Sequence, residues 1–358
     1  MRGTLLSPPI SRRQLLQVGG IGALGLNLPE FLQAGGSSGL ERSCIFIVQY
    51  GGGSHLDSLD LKPDAPADVR GPYQPISTCA PGLNVCELLP RLALQADRFA
   101  VVRSMTHGNG GHDGGMHVAM TGHSDPTPDT PYFGSVVARV RPATQNIPSY
   151  VWLQNLAGDV EPRYLRGGFL GPAFSPLRVG TDLDNPSADK FRFTAFDPPA
   201  GTTPERLLDR QRLLHGLEHS ETSRGTTLAP GFTRFQEQAF DLVSGTKARQ
   251  AFDLTHESDT VRDRYGRHPL GQNLLLARRL IEAGTRLVNV TAWCGLAEGE
   301  KFTNVQTWDM HGPVAAHIGS IFGAGSYGLG FALPRVDQSV SALLEDLSDR
   351  GLWTARSS

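Results

Sequence analysis

Few folds accommodate the run Ser43-Cys44-Ile45-Phe46-Ile47-Val48-Gln49-Tyr50, an unbroken apolar stretch of strand length that stops abruptly at Gly51-Gly52-Gly53. A strand that is apolar on both sides belongs in a parallel sheet covered on both faces, and the glycines start a loop at its carboxyl end. The pattern recurs at Arg98-Phe99-Ala100-Val101-Val102-Arg103 and Arg286-Leu287-Val288-Asn289-Val290-Thr291, with a weaker copy at Ser149-Tyr150-Val151-Trp152-Leu153. Helical periodicity separates these runs: Met116 to Thr121, Tyr132 to Val140, Pro204 to Glu221, Gly231 to Val243, Leu270 to Ala283, and Val336 to Arg350. The alternation predicts an α/β fold, a mainly parallel central sheet with helices on both faces. In such sheets, sites form beyond the carboxyl ends of the strands. Residues 172–203, rich in Pro, Asp and Thr, read as an excursion over the surface.

Ahead of the first strand, Ser11-Arg12-Arg13-Gln14-Leu15-Leu16 leads into an apolar, glycine-containing stretch that ends at Pro29, followed by small residues around Ala34 to Ser38. Charged, apolar and small-residue regions in that order form an export signal of the twin-arginine type. An amphipathic starting helix carrying two arginines by chance is the alternative. The organisation expected is a signal over residues 1–36 and one α/β domain over 37–358, placed in the periplasm or outside the cell, with the twin-arginine machinery as a partner. The apolar stretch is too short for a permanent membrane span, which needs about 20 apolar residues. With 33 Lys+Arg against 35 Asp+Glu, the chain has no charge excess to draw it to nucleic acid. Cys44 and Cys294 read as strand residues. Cys79 and Cys86 flank the Pro81-Gly82 turn, where an oxidising compartment would permit a bridge or leave two unrelated thiols.

Three loops carry candidate chemistry. After the first strand, His55, Asp57 and Asp60 could ligate zinc or a hard divalent cation; equally, the aspartates could cap the next element of a glycine turn. In the second, His107, His112, His117 and His123 fall within seventeen residues together with Asp113, among glycines that let backbone approach an ion closely. A polar loop of solvated histidines would look the same. In the third, Asp309 and His311 alternate along an extended segment and could face one ion. Convergence of the three at one sheet edge predicts a site for divalent metal ions (Zn, Ca, Mg or Mn). There, a metal-activated nucleophile would attack a phosphate or sulfate ester on a small molecule or glycan.

Several segments together resemble the bacterial family called domain of unknown function 1501: Arg12-Arg13-Gln14-Leu15-Leu16, Gly51-Gly52-Gly53-Ser54-His55-Leu56-Asp57, Lys62-Pro63-Asp64-Ala65-Pro66, Ala119-Met120-Thr121-Gly122-His123 and Trp308-Asp309-Met310-His311-Gly312. The resemblance runs along nearly the whole chain and implies an alkaline phosphatase- or sulfatase-like sandwich with a two-metal site. In it, Asp57, or else Asp60, matches the first ligand, and Asp309 with His311 a later pair. Counting nine residues back from Thr121, where sulfatases carry their nucleophile, reaches His112, neither Ser, Thr nor Cys. His112 would then ligate metal or act as the catalytic group. The resemblance also implies a further strand and ligand pair beyond Ser341 to Leu347. The chain stops at Ser358, so a C-terminally incomplete sheet is expected, and with it the alternatives of a noncatalytic glycan-binding protein or an inactive family member.

Overall fold

A computed structural model describes residues 42–67, 69–127, 129–143, 147–155, 167–197, a broken stretch within 201–216, 246–301, 308–309 and 325–353. The chain divides into two units, Met1–Arg42 and Ser43–Ser358. Apart from Arg42 the first lies outside the described residues, as do the expected helix at Gly231 to Val243 and most of the one at Pro204 to Glu221.

Four parallel strands form the sheet: β1 (Cys44–Val48), β4 (Tyr150–Asn155), β5 (Leu177–Thr181) and β6 (Leu287–Thr291), in the order β1-β6-β4-β5. A small antiparallel pair, β2 (Pro75–Ser77) and β3 (Asn84–Cys86), lies apart from it. Among the described residues the α-helices are α1 (Pro90–Ala93), α2 (His112–Thr121), α3 (Phe133–Val140), α4 (Thr246–Phe252), α5 (Asp259–Tyr265), α6 (Pro269–Glu282) and α7 (Leu329–Asp349).

Side-chain alternation separates two cores. Ile45 and Ile47 of β1, Val151 and Leu153 of β4, and Val288 and Val290 of β6 pack with Leu274, Leu275 and Leu280 of α6 and Leu343 and Leu347 of α7. Their neighbours Phe46, Val48, Tyr150, Trp152 and Leu287 point the other way, to Met116 and Met120 of α2 and Ala138 of α3. Helices therefore cover both faces. All five residues of the central β6 are buried, whereas β1 lies at the edge and is only half-buried.

The helix α6 lies between the sheet and α7 and is buried almost all round. The fully buried Arg278 on it is held by Glu257, Glu282 and Asp346, each at 2.9 Å, while the Tyr265 hydroxyl donates to Asp346 at 2.9 Å. Burial alone would lower the guanidinium pKa; the carboxylates overcome it and hold the pKa above its usual value. At the start of α6, the side chain of His268 accepts the N–H of Gly271, and burial, with Arg335 nearby, pushes its pKa down to about 4.

Several expectations are corrected. Arg98 to Arg103 forms no strand: a 3-10 turn at Ala96–Arg98 gives way to irregular backbone. Val102 finds no sheet to cover it and is 66% exposed, while Arg103 is drawn to Leu59 O and Asp60. Residues 172–203 are no mere excursion, since they supply β5, an edge strand in which only Val179 is buried. Cys294 lies beyond β6, buried against Ala332 O, where burial pushes its thiol up to about 12. The thiols of Cys79 and Cys86 are free: Cys86 packs in the core, and Cys79 lies exposed beside Asp97. Helix α7 begins seven residues ahead of Val336 and includes Pro334, although proline is best tolerated in the first turn. Helix α2 likewise starts early, at His112, so His112 and Asp113 occupy its first turn instead of a loop.

Candidate functional site

Beyond the carboxyl end of β1 the chain turns through Gly51, whose φ of +117° suits glycine alone. A side chain there would meet the Asp309 backbone, its Cβ 2.6 Å from the amide nitrogen, so the loop rests directly on Trp308-Asp309. Trp308, 1% exposed, donates its backbone N–H to Tyr50 O at 3.0 Å and its indole N–H to Ala292 O at 2.5 Å. Those carbonyls follow β1 and β6, which are neighbours in the sheet.

Asp309 is thereby delivered to the first turn of α2, where His112 Nε2 lies 3.3 Å from its Oδ2. The two differ in access: the His112 side chain is 32% exposed and that of Asp309 5%. Next to them the Tyr50 hydroxyl donates to Asp113 Oδ1 at 3.2 Å, and the Tyr50 and His112 rings lie 6.2 Å apart. Asp113 also suits the positive end of the helix dipole. The loop before α2 is folded tightly: His107 Nδ1 accepts the N–H of Asn109, and Gly115 passes close to the His107 ring, where an added Cβ would come within 3.2 Å of Cε1.

The other candidates stand elsewhere. Asp57, 1% exposed, accepts the Ser54 hydroxyl on Oδ2 at 2.5 Å; its Oδ1 is packed against Gly71 and has no hydrogen-bond partner among the described residues. Asp60 pairs with Lys62 at 2.7 Å and Arg103 at 3.2 Å, and the Lys62 hydrogen bond is foremost in holding its carboxyl below the usual range. His55 is exposed, with its carbonyl accepting the N–H of Asp60. His117 faces inward, 3% exposed, donating from Nε2 to Thr127 O at 2.9 Å beside the Tyr132 ring. His123 is exposed. His311 lies outside the described residues.

The structure thus joins His112, Asp113 and Asp309 and adds two residues that the sequence did not single out, Tyr50 and Trp308. Tyr50 buries its ring while its hydroxyl reaches Asp113, and Trp308 buries its ring while its indole N–H is held by Ala292 O. Among the described residues no three His, Cys, Asp or Glu side chains gather closely enough to hold a metal ion. Asp57 Oδ1, a buried carboxylate oxygen without a hydrogen bond among the described residues, is the kind of atom that a cation satisfies.

Fold and site together define an α/β protein whose candidate site is assembled from separate stretches of chain at the carboxyl edge of a parallel sheet. The chain belongs to the DUF1501 family, described as a protein of unknown function, whose match spans residues 41–355. No curated protein and no solved structure matches the chain.

Proposed function

We propose that the protein is a metal-dependent hydrolase of phosphate or sulfate esters, exported by the twin-arginine route and acting in the periplasm or outside the cell. The observation that carries the reading is the pair of His112 and Asp309 at the carboxyl edge of the sheet, one partner open to solvent and the other buried. A buried carboxylate 3.3 Å from Nε2 orients the imidazole, and an imidazole so oriented is suited to take a proton from an attacking water or hydroxyl. Tyr50 and Asp113 wall the imidazole on the side of α2. Asp309, with His311 from the sequence, would hold the cation. Bound there, a divalent ion supplies Lewis acidity toward an ester oxygen and lowers the pKa of water. Export is supported by Arg12-Arg13 ahead of the apolar stretch from Leu15 to Leu28. None of the described helices is long and apolar enough to cross a membrane.

The test is turnover of aryl phosphate and aryl sulfate esters by the purified protein with added Mn or Zn. Hydrolysis that disappears in His112→Ala supports the reading; hydrolysis that persists in that variant, or a metal-loaded wild type without turnover, refutes it.

A further inference from the structure

Trp308 does more than fill the core. Its backbone N–H and its indole N–H hold the carbonyls of Tyr50 and Ala292, which follow closely on two adjacent strands. Those strand ends are themselves fastened by the Ala292 N–H donating to Val48 O at 2.8 Å. Gly53 lies beside the ring, where an added Cβ would come to 3.4 Å from Cε3, an ordinary packing distance. Trp308 is thus fixed both at its backbone and at its indole, and Asp309 is bonded to it directly. Trp308, Tyr50 and Ala292 are all buried, so both hydrogen bonds lie away from solvent.

We infer that Trp308 is a positioning residue: by joining the ends of β1 and β6 it sets the Asp309 carboxylate against His112. The catalytic meaning of that placement rests on the proposed hydrolase reading, whereas the placement itself is measurable without turnover. An ordinary core tryptophan would contribute stability and leave the His112–Asp309 interaction as it was. A positioning tryptophan controls that interaction.

The experiment is a double-mutant cycle of His112→Ala and Asp309→Ala in the full chain, read by chemical denaturation, with Trp308 present and again in Trp308→Phe. A second background replaces Trp308 by benzothienylalanine, which keeps the bicyclic shape and loses only the N–H donor, so that folding is retained if the phenylalanine variant fails. Coupling between His112 and Asp309 is expected in the Trp308 background and is expected to vanish in the others. Coupling unchanged on removal of the indole N–H, or absent from the start, overturns the inference. Mn titration of the same wild-type protein separates the two ideas: coupling lost without the indole, but no Mn bound by the wild type, leaves Trp308 as a positioning residue and removes the metal-dependent reading.

Discussion

His112 Nε2 and Asp309 Oδ2 lie 3.3 Å apart although one begins a helix on one face of the sheet and the other follows β6. Only the sheet brings them together. Tyr50 O and Ala292 O, just past two adjacent strands, fix Trp308, and α2 packs against Val48 and Trp152 to bring His112 to the same edge. The geometry of the pair is therefore a property of the strand ends.

If His112 acts as a proton acceptor oriented by Asp309, His112→Ala lowers kcat for ester hydrolysis by about 10²- to 10⁴-fold, the range general-base groups supply. Asp309→Asn keeps the shape and removes the charge, and is expected to cost a similar factor. Steady-state kinetics at matched metal concentration check both.

Gly51→Ala attacks the site from the other side. Its φ of +117° disfavours any side chain, and the new Cβ would press on the Asp309 amide. A loss of about 1–3 kcal/mol of stability is expected, together with reduced turnover, measured by urea denaturation and ester assay. Gly52, which also has positive φ but has open space around its Cβ position, should lose less activity on the same change.

Away from the site, Asp346→Ala leaves Arg278 buried with one partner fewer and removes the acceptor of the Tyr265 hydroxyl. Breaking a buried pair from one side costs about 3–5 kcal/mol, which denaturant titration would register as a lower midpoint at unchanged slope.

His268 gives a pH dependence with a definite sign. Its folded pKa is depressed to about 4 against an ordinary 6.5, so the unfolded chain binds the proton more readily. The contribution is fully present above pH 6.5 and is lost as pH falls from there toward 4, by up to about 3 kcal/mol. His268→Asn, which can still cap α6, should flatten that part of the stability profile, a result that thermal melts across pH 4–7 would show.

The strands that were readable in the sequence, β1, β6 and more weakly β4, are those whose apolar runs are long enough to need a sheet. The edge strand β5 was not, because Leu177-Arg178-Val179-Gly180-Thr181 buries a single side chain and carries almost no periodic signal. Phe99 to Val102 carried the signal without the sheet position, a case of propensity losing to tertiary context. The first turns of α2 and α7 were hidden by Gly114-Gly115 and Pro334, residues that argue against helix unless packing overrides them. At the site, His112, Asp113 and Asp309 were visible as residue types in suggestive loops. Their pairing was not, since it depends on register between β1 and β6, and neither were Tyr50 and Trp308, whose ordinary role as core aromatics conceals a hydrogen bond at one end.

The central claim, a metal-holding site built on Asp309, is tested most directly by elemental analysis of the purified protein, wild type against Asp309→Ala combined with His311→Ala. The account predicts near-stoichiometric divalent metal in the wild type and its loss in the folded variant. Wild-type protein that is folded, has been purified without chelator and carries no metal would contradict it.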